Sequence, residues 1–214
     1  MALVPYLDES DLPESDRALL ARPINLHRAL ANSPDGLRRF SGLGHWIRWE
    51  CELDPRLREL AILQVGYLNA SPYEWSHHVK IGHDFGVTDS DIEALVAATE
   101  GRPHSLGDLE STVLRGAREV TADQRMAPET WTALEAALGR ARLVDLVIVV
   151  SFYNAVVRIL GTLQIDVEPD YAQYLEAFPL PTSAPPPTGL STTGLSTTGL
   201  STANPTTTGL PPTR

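Results

Sequence analysis

The clearest helix signals in the chain lie in LDPRLRELAILQVGYLNASPYEWSHHVKIGHDFGVTDSDIEAL, residues 53–95. Asp54-Pro55 and Ser71-Pro72 are both helix start signals, because Asp and Ser cap a helix and Pro fits its first position. These signals predict helices over residues 55–69 and 72–85, joined by a short connection.

The same stretch also predicts where these helices end and where the next one begins. Gly86 suits the left-handed conformation that closes many helices. Thr88 can cap a further helix over residues 89–98. Glu74 lies three residues after Ser71, the spacing of a capping box, in which the two side chains bond each other's backbone.

Outside this stretch, apolar residues recur at helical spacing and no segment alternates convincingly with the period of a strand. The sequence therefore predicts an all-α fold of about eight helices. Further helices are predicted over residues 15–22, 24–32, 36–52, 107–122, 128–138 and 141–164.

The composition changes sharply near residue 181. Residues 181–214 are rich in Thr, Pro, Ser and Gly, contain no aromatic residue and repeat TGLST. Such a segment cannot bury enough apolar surface to offset its chain entropy. We therefore expect one helical domain over residues 1–180 and a disordered tail over residues 181–214.

Charge and cysteine content exclude several classes of protein. All 27 acidic residues precede the tail, against 16 of the 17 basic residues, so nucleic acid is not an expected partner. Cys51 is the single cysteine, which excludes an internal disulfide, a CxxC pair and a cysteine-based zinc site. We expect no metal and no cofactor.

The longest apolar run, residues 143–160, is interrupted by Asp145, Ser151, Asn154 and Arg158. This pattern favours a buried helix over a membrane span. The N-terminus lacks the basic start and apolar core of a secretory signal, so the expected compartment is the cytoplasm.

Polar residues cluster where the helices over 55–69 and 72–85 meet. Glu74 and His78 are four residues apart and share one helix face. A carboxylate beside an imidazole can hold its tautomer and tune its pKa for proton transfer near neutrality. Glu59 could complete a relay if the two helices pack with these faces together.

Each of these residues also has a structural interpretation. Ser71 and Glu74 could serve only as a capping box, and Glu59 could be a solvated partner of a nearby arginine. His77 and His83 are expected at the surface. A metal site is disfavoured, because the spacing matches no zinc motif.

Residues 53–95 resemble the carboxymuconolactone decarboxylase family, which shares its fold with AhpD-like alkylhydroperoxidases. The resemblance rests on Arg58-Glu59, on Tyr73-Glu74-Trp75 followed by His78, and on Gly86 before an acidic helix start. Residues 109–166 resemble the second half of that family, including Phe152-Tyr153-Asn154. The resemblance implies an AhpD-like helical bundle that assembles as a homotrimer or homohexamer.

One departure from the family changes the expected chemistry. The redox branch carries a glutamate, then a CxxC twelve residues later, then a histidine. Here Ser71 and Glu74 stand in place of the two cysteines, while Glu59 and His78 are kept. Peroxide reduction needs a thiolate and a resolving thiol, so alkylhydroperoxidase activity is disfavoured.

The resemblance instead implies a lyase that decarboxylates small lactone or cyclic carboxylates from aromatic-compound catabolism. His78, Glu74 and Glu59 are its expected catalytic residues, and Ser71, Tyr73 and Arg58 its expected substrate contacts. Arg118, Arg142 and Arg158 are further candidates for holding a substrate carboxylate. A non-enzymatic oligomeric binding protein remains an alternative.

Overall fold

The computed structural model describes residues 2–181, and within this range it contains helices and no strand, which confirms the all-α prediction. The helices are α1 (Asn25–Leu30), α2 (Pro34–Trp49), α3 (Pro55–Leu68), α4 (Pro72–Asp84), α5 (Asp89–Thr99), α6 (Asp108–Asp123), α7 (Pro128–Leu138), α8 (Arg140–Leu163) and α9 (Ala172–Ala177). The tail predicted to be disordered lies, from residue 182 onward, outside the described residues.

Three short segments differ from the prediction, and the first is the 3-10 helix Glu9–Asp11, for which the sequence predicts no helix. The helix expected over residues 15–22 is a 3-10 helix, Glu14–Leu20. Residues beyond α8, for which the sequence predicts no helix, form the 3-10 helix Pro169–Tyr171 and then α9. Such short helices make few backbone bonds of their own and depend on tertiary packing.

Three of the predicted helix boundaries are confirmed. Asp54 caps α3 by accepting a hydrogen bond from the backbone N–H of Leu57 at 3.0 Å. Thr88 and Asp91 form a reciprocal capping box at the start of α5. Gly86, between α4 and α5, has a φ of 90°, which a residue with a Cβ rarely adopts.

The capping box predicted for Ser71 and Glu74 is wrong. Ser71 occupies the N-cap position of α4, but its side chain accepts no capping hydrogen bond. The carboxyl group of Glu74 instead approaches His78, one turn further along the helix. Glu74 is therefore free of the capping role and belongs to the polar cluster.

α3 lies at the centre of the fold and packs against α4, α6 and α8. It is buried on every side from Leu57 to Tyr67, as expected for a helix that is largely apolar all round. Leu60, Leu63 and Val150 are buried. Val147 and Ile159 are only partly buried, because part of the α8 surface is left uncovered by the described chain.

α8 is the one helix of residues 2–181 that is long and apolar enough to cross a membrane. Of its most apolar window, 44% is buried inside the fold. Its buried face contributes Leu146, Val149 and Val150 to the same hydrophobic core as α3. This packing supports the interpretation of α8 as a core helix.

Candidate active site

The two central helices bring Glu59 and His78 together in the interior. Glu59 lies on α3 and His78 on α4, and Oε2 of Glu59 is 2.7 Å from Nδ1 of His78. The other carboxylate oxygen of Glu59 accepts a hydrogen bond from Nε of Arg58 at 3.0 Å. All three side chains are buried. The contact predicted between the two helix faces is therefore present.

Glu74 completes the cluster from the opposite edge of the imidazole ring. Its Oε1 atom is 3.1 Å from Nε2 of His78, one helical turn away. This oxygen is buried and has no hydrogen bond of acceptable geometry in the described structure. His78 therefore lies between two carboxyl groups, one paired and one without a full partner.

The surroundings shift the pKa values of the two carboxyl groups in opposite directions. Burial alone would raise the pKa of Glu59, but the imidazole of His78 and the guanidinium of Arg58 outweigh it and hold that pKa below its usual value. Burial and the nearby charge of Glu59 raise the pKa of Glu74 to about 8. Burial also lowers the pKa of His78, against the attraction of Glu59.

At neutral pH these directions define one protonation pattern. Glu59 is ionised and accepts Nδ1–H from neutral His78, which leaves Nε2 as the acceptor nitrogen. Glu74 keeps its proton and faces that nitrogen. A neutral carboxylic acid directed at a neutral imidazole forms a short proton-transfer path.

A cavity of about 390 Å³ opens beside this path. Glu74, His77 and His78 of α4 line it, together with Tyr73 and Tyr153. Its other walls come from the segment of residues 18–27, from α2 and from α8. The volume falls within the range of small-molecule sites.

Two of the predicted substrate contacts lie outside this cavity lining. Ser71 is buried at the N-cap of α4. Arg58 lies behind Glu59, with its guanidinium 4.6 Å from the centre of the Phe85 ring and one N–H donated to the carbonyl of Arg48 at 3.1 Å. This placement gives Arg58 the role of neutralising Glu59. Tyr73 does line the cavity.

The cavity contains two arginines that the sequence pattern did not indicate, Arg22 and Arg48. Neither forms an ion pair with a carboxylate among residues 2–181, although the chain has an excess of acidic residues. The predicted candidates Arg118, Arg142 and Arg158 are absent from the lining. The positions of Arg22 and Arg48 in the sequence do not indicate that these side chains reach the cavity.

The expectation that His77 lies at the surface is wrong. Only 3% of His77 is exposed, and its Nε2 atom is 2.7 Å from Oε2 of Glu168. Glu168 is 91 residues away along the chain, so no local pattern links the two. His83 is exposed near the end of α4, as expected, and contacts Asp89 at 2.9 Å.

Thiol and metal chemistry have little support among the described residues. Cys51 is half-buried, and burial raises the pKa of its thiol, which disfavours the reactive thiolate. No group of three or more His, Cys, Asp or Glu side chains within residues 2–181 has an arrangement that could hold a metal ion.

Part of the chain matches a known protein family. Residues 34–102 match the model of the carboxymuconolactone decarboxylase family. No curated protein sequence matches the chain.

Similar solved structures include an alkylhydroperoxidase AhpD core protein from Ralstonia eutropha JMP134, described as an uncharacterized peroxidase-related protein. It is 17% identical, with a TM-score of 0.67 over 81% of this chain and 95% of that one. An uncharacterized peroxidase-related protein from Silicibacter sp. TM1040 is 18% identical, with a TM-score of 0.64 over 79% and 92%.

A debrominase variant crystallised with 2,3,4-tribromopyrrole is also similar. It is 16% identical, with a TM-score of 0.66 over 83% of this chain and 98% of that one. At these identities the likeness establishes the fold alone. The family match and the fold agree with the resemblance carried by Arg58-Glu59, Glu74 and His78: residues 34–102 match the model of the carboxymuconolactone decarboxylase family, and the chain has the AhpD-like fold without the CxxC motif.

Proposed function

We propose that the protein is a redox-independent carboxy-lyase that acts on a small cyclic or lactone carboxylate. The observation that carries this proposal is the position of His78, between ionised Glu59 and protonated Glu74 at the wall of the cavity. Proton delivery is the contribution that a decarboxylase must make when its substrate can delocalise the electrons itself.

The reaction begins with cleavage of the bond between the substrate ring and its carboxylate. Carbon dioxide leaves, and the electron pair of the broken bond spreads into the unsaturated ring or lactone carbonyl. The proton held between Glu74 and Nε2 of His78 then moves to a carbon of this anion. Water reprotonates the pair, so each turnover consumes one proton and needs no oxidant or reductant.

Glu59 acts through His78 in this proposal. Its ionised carboxylate fixes Nδ1–H of the imidazole, so that Nε2 faces Glu74. Arg58 keeps Glu59 ionised in the interior and leaves the cluster without excess charge. A carboxylate that orients a histidine contributes geometry rather than a transferable proton.

Arg22 and Arg48 are the proposed contacts for a substrate carboxylate. Their charges lower the pKa of His77 together with the larger effect of burial, so both lie close enough to influence the site. Arginine suits this role because its planar group can bind a carboxylate through two hydrogen bonds. Leu19, Phe40 and Phe152 give the same cavity apolar walls for the substrate ring.

Two alternatives remain, and each makes a different prediction. A thiol peroxidase would consume hydroperoxide with a thiol donor, although Cys51 has no partner cysteine in the sequence. A binding protein would hold a small ring without turnover. The similar structure that holds 2,3,4-tribromopyrrole supports a small cyclic ligand under either an enzymatic or a binding function.

The test is a screen of muconolactone-type carboxylates, with carbon dioxide release measured for the purified protein. A parallel assay measures hydroperoxide loss with dithiothreitol, and Cys51→Ser serves as its control. We expect carbon dioxide release from a member of the panel, and no hydroperoxide loss that depends on Cys51. Thiol-dependent hydroperoxide consumption that Cys51→Ser abolishes would contradict the proposal.

A further inference from the structure

A second histidine–carboxylate pair borders the same cavity and has no part in the mechanism above. His77 lines the cavity from α4, and its Nε2 is 2.7 Å from Oε2 of Glu168. The imidazole is stacked between two aromatic rings, Tyr73 at 4.1 Å and Tyr171 at 3.6 Å between ring centres. Both ring faces are therefore covered, and the ring reaches the cavity only by an edge.

Glu168 is itself held by groups from two other parts of the fold. Its Oε1 accepts the backbone N–H of Asn25 at 2.6 Å and the hydroxyl of Tyr73 at 3.0 Å. Burial alone would raise the pKa of Glu168, but the bond to His77 and the N–H of Asn25 lower it to about 2. The carboxylate is therefore ionised at neutral pH and accepts a hydrogen bond from His77.

This arrangement fixes the tautomer of His77. An ionised carboxylate at Nε2 requires that nitrogen to carry the hydrogen, so in the neutral ring Nδ1 has the free lone pair. Among residues 2–181, Nδ1 of His77 has no hydrogen-bond partner. A carboxylate that holds one nitrogen so that the other can accept a proton is the arrangement of a general base.

The site therefore contains a proton donor and a proton acceptor on one turn of α4. Glu74 with His78 holds a transferable proton, and His77 with Glu168 presents a lone pair. The site has two adjacent histidines, and each contacts a different carboxylate from another part of the fold. A decarboxylation needs only one such pair. A second base has a use when a C–H bond must also be broken.

We propose that His77, positioned by Glu168, is a catalytic base that removes a proton from a carbon conjugated to a carbonyl group of an unsaturated lactone carboxylate. This inference rests on the proposed function, because it places the same class of substrate in the same cavity. It adds a proton-exchange and double-bond isomerisation activity that proceeds without loss of carbon dioxide.

The step conserves atoms and electrons without a further reactant. The C–H bond breaks, its proton forms a bond with Nδ1 of His77, and its electron pair spreads to the carbonyl oxygen as a dienolate. A proton then returns to the same carbon from His77, or to the far end of the conjugated system from Glu74. The first outcome is exchange with solvent, and the second is isomerisation.

The test uses muconolactone in heavy water, with proton NMR to follow the ring C–H that is conjugated to the lactone carbonyl. The wild-type protein should accelerate deuterium incorporation over the buffer rate. His77→Gln should reduce this acceleration by about 10²–10⁴-fold, the usual worth of a general base. His83→Gln changes an exposed histidine at the other end of the helix and should exchange at the wild-type rate.

Glu168→Gln tests the positioning role through a signal that a purely structural role would not move. Long-range ¹⁵N–¹H spectra of the wild-type protein should show His77 with hydrogen on Nε2 and a bare Nδ1. The Gln variant should lose this fixed tautomer and lose exchange activity, while the folded proton spectrum is kept. Hydrogen on Nδ1 of His77 in the wild type would overturn the proposal. This measurement needs no variant, so it remains decisive even if His77→Gln does not fold.

Two results separate this inference from the proposed function. Exchange that depends on His77, without carbon dioxide release from any carboxylate, would leave the inference standing and overturn the lyase. Carbon dioxide release without enzyme-dependent exchange would overturn the inference and keep the lyase. Exchange that His77→Gln leaves unchanged would overturn the inference and leave the lyase to the carbon dioxide assay.

Discussion

Oε2 of Glu59 lies 2.7 Å from Nδ1 of His78, across the interface of the two central helices and 19 residues apart in sequence. The same carboxylate accepts Nε–H of Arg58 at 3.0 Å. Glu59 thus serves two buried partners with its two oxygens. The arrangement links the stability of the core to the orientation of the imidazole that borders the cavity.

Removing the charge of Glu59 should destabilise the fold strongly. Glu59→Gln leaves the buried guanidinium of Arg58 without its counter-charge, and breaking a buried pair in this way costs about 3–5 kcal/mol. Urea denaturation followed by circular dichroism measures the change. The control Glu100→Gln breaks the exposed pair with Arg102 and should cost less than about 1 kcal/mol. Equal losses in the two variants would contradict this account.

Glu74 should make stability depend on pH in a defined window. Its pKa is about 8 in the folded state, against an ordinary value of 4.5. Between these values the unfolded chain has lost the proton that the folded chain keeps, so stability falls as pH rises from about 4.5 to 8. Glu74→Gln should remove this part of the slope.

Urea denaturation of both proteins at pH 5 and pH 8 measures the effect. Relative to the wild type, Glu74→Gln should gain on the order of 3 kcal/mol of stability on going from pH 5 to pH 8, the linkage free energy of a carboxyl group with these two pKa values. Because the difference between the two proteins isolates Glu74, parallel stability curves would show that this carboxyl group is ionised in the fold at pH 5.

The two N-cap residues at the starts of α4 and α5 should respond differently to alanine. Thr88→Ala removes a side chain that bonds the backbone N–H of Asp91 and should cost about 0.5–2 kcal/mol. Ser71→Ala removes a hydroxyl that makes no capping bond and should cost less than Thr88→Ala. Thermal unfolding compares the two variants directly. A larger loss of stability for Ser71→Ala would show that Ser71 caps α4 after all.

These cases show which features a sequence can reveal. Asp54 and Thr88 were predictable because a cap is a local interaction over three residues. Glu74 and His78 were predictable because residues four apart share a helix face. The spacing at Ser71 was misleading, since a carboxyl group at the third helical position can also bond along the helix to His78.

The remaining features depend on contacts between distant parts of the chain. The burial of His77 was unpredictable because its partner, Glu168, lies in a segment that has no helical pattern of its own. Arg48 reaches the cavity from α2, and its neighbours there come from α4 and α8. The residue periodicity within a single helix cannot reveal a cavity whose walls come from several helices.

Self-association is a further prediction, and we propose a homotrimer or homohexamer. Trp49, Leu43 and Val144 are exposed apolar side chains on the described chain, and part of α8 is uncovered. Such surfaces are often buried between subunits. Light scattering at micromolar concentration should give a mass of three or six chains, whereas the mass of a single 23.3 kDa chain would contradict the proposal.

The acid/base role of His78 is tested by the turnover number of His78→Gln on the carboxylate found in the screen, measured as carbon dioxide release. Glutamine keeps hydrogen-bonding capacity but cannot exchange a proton near pH 7, so turnover should fall by about 10²–10⁴-fold. His83→Gln, on the same helix, should keep the wild-type rate. Wild-type turnover by folded His78→Gln would contradict the account, because another group would then have to deliver the proton.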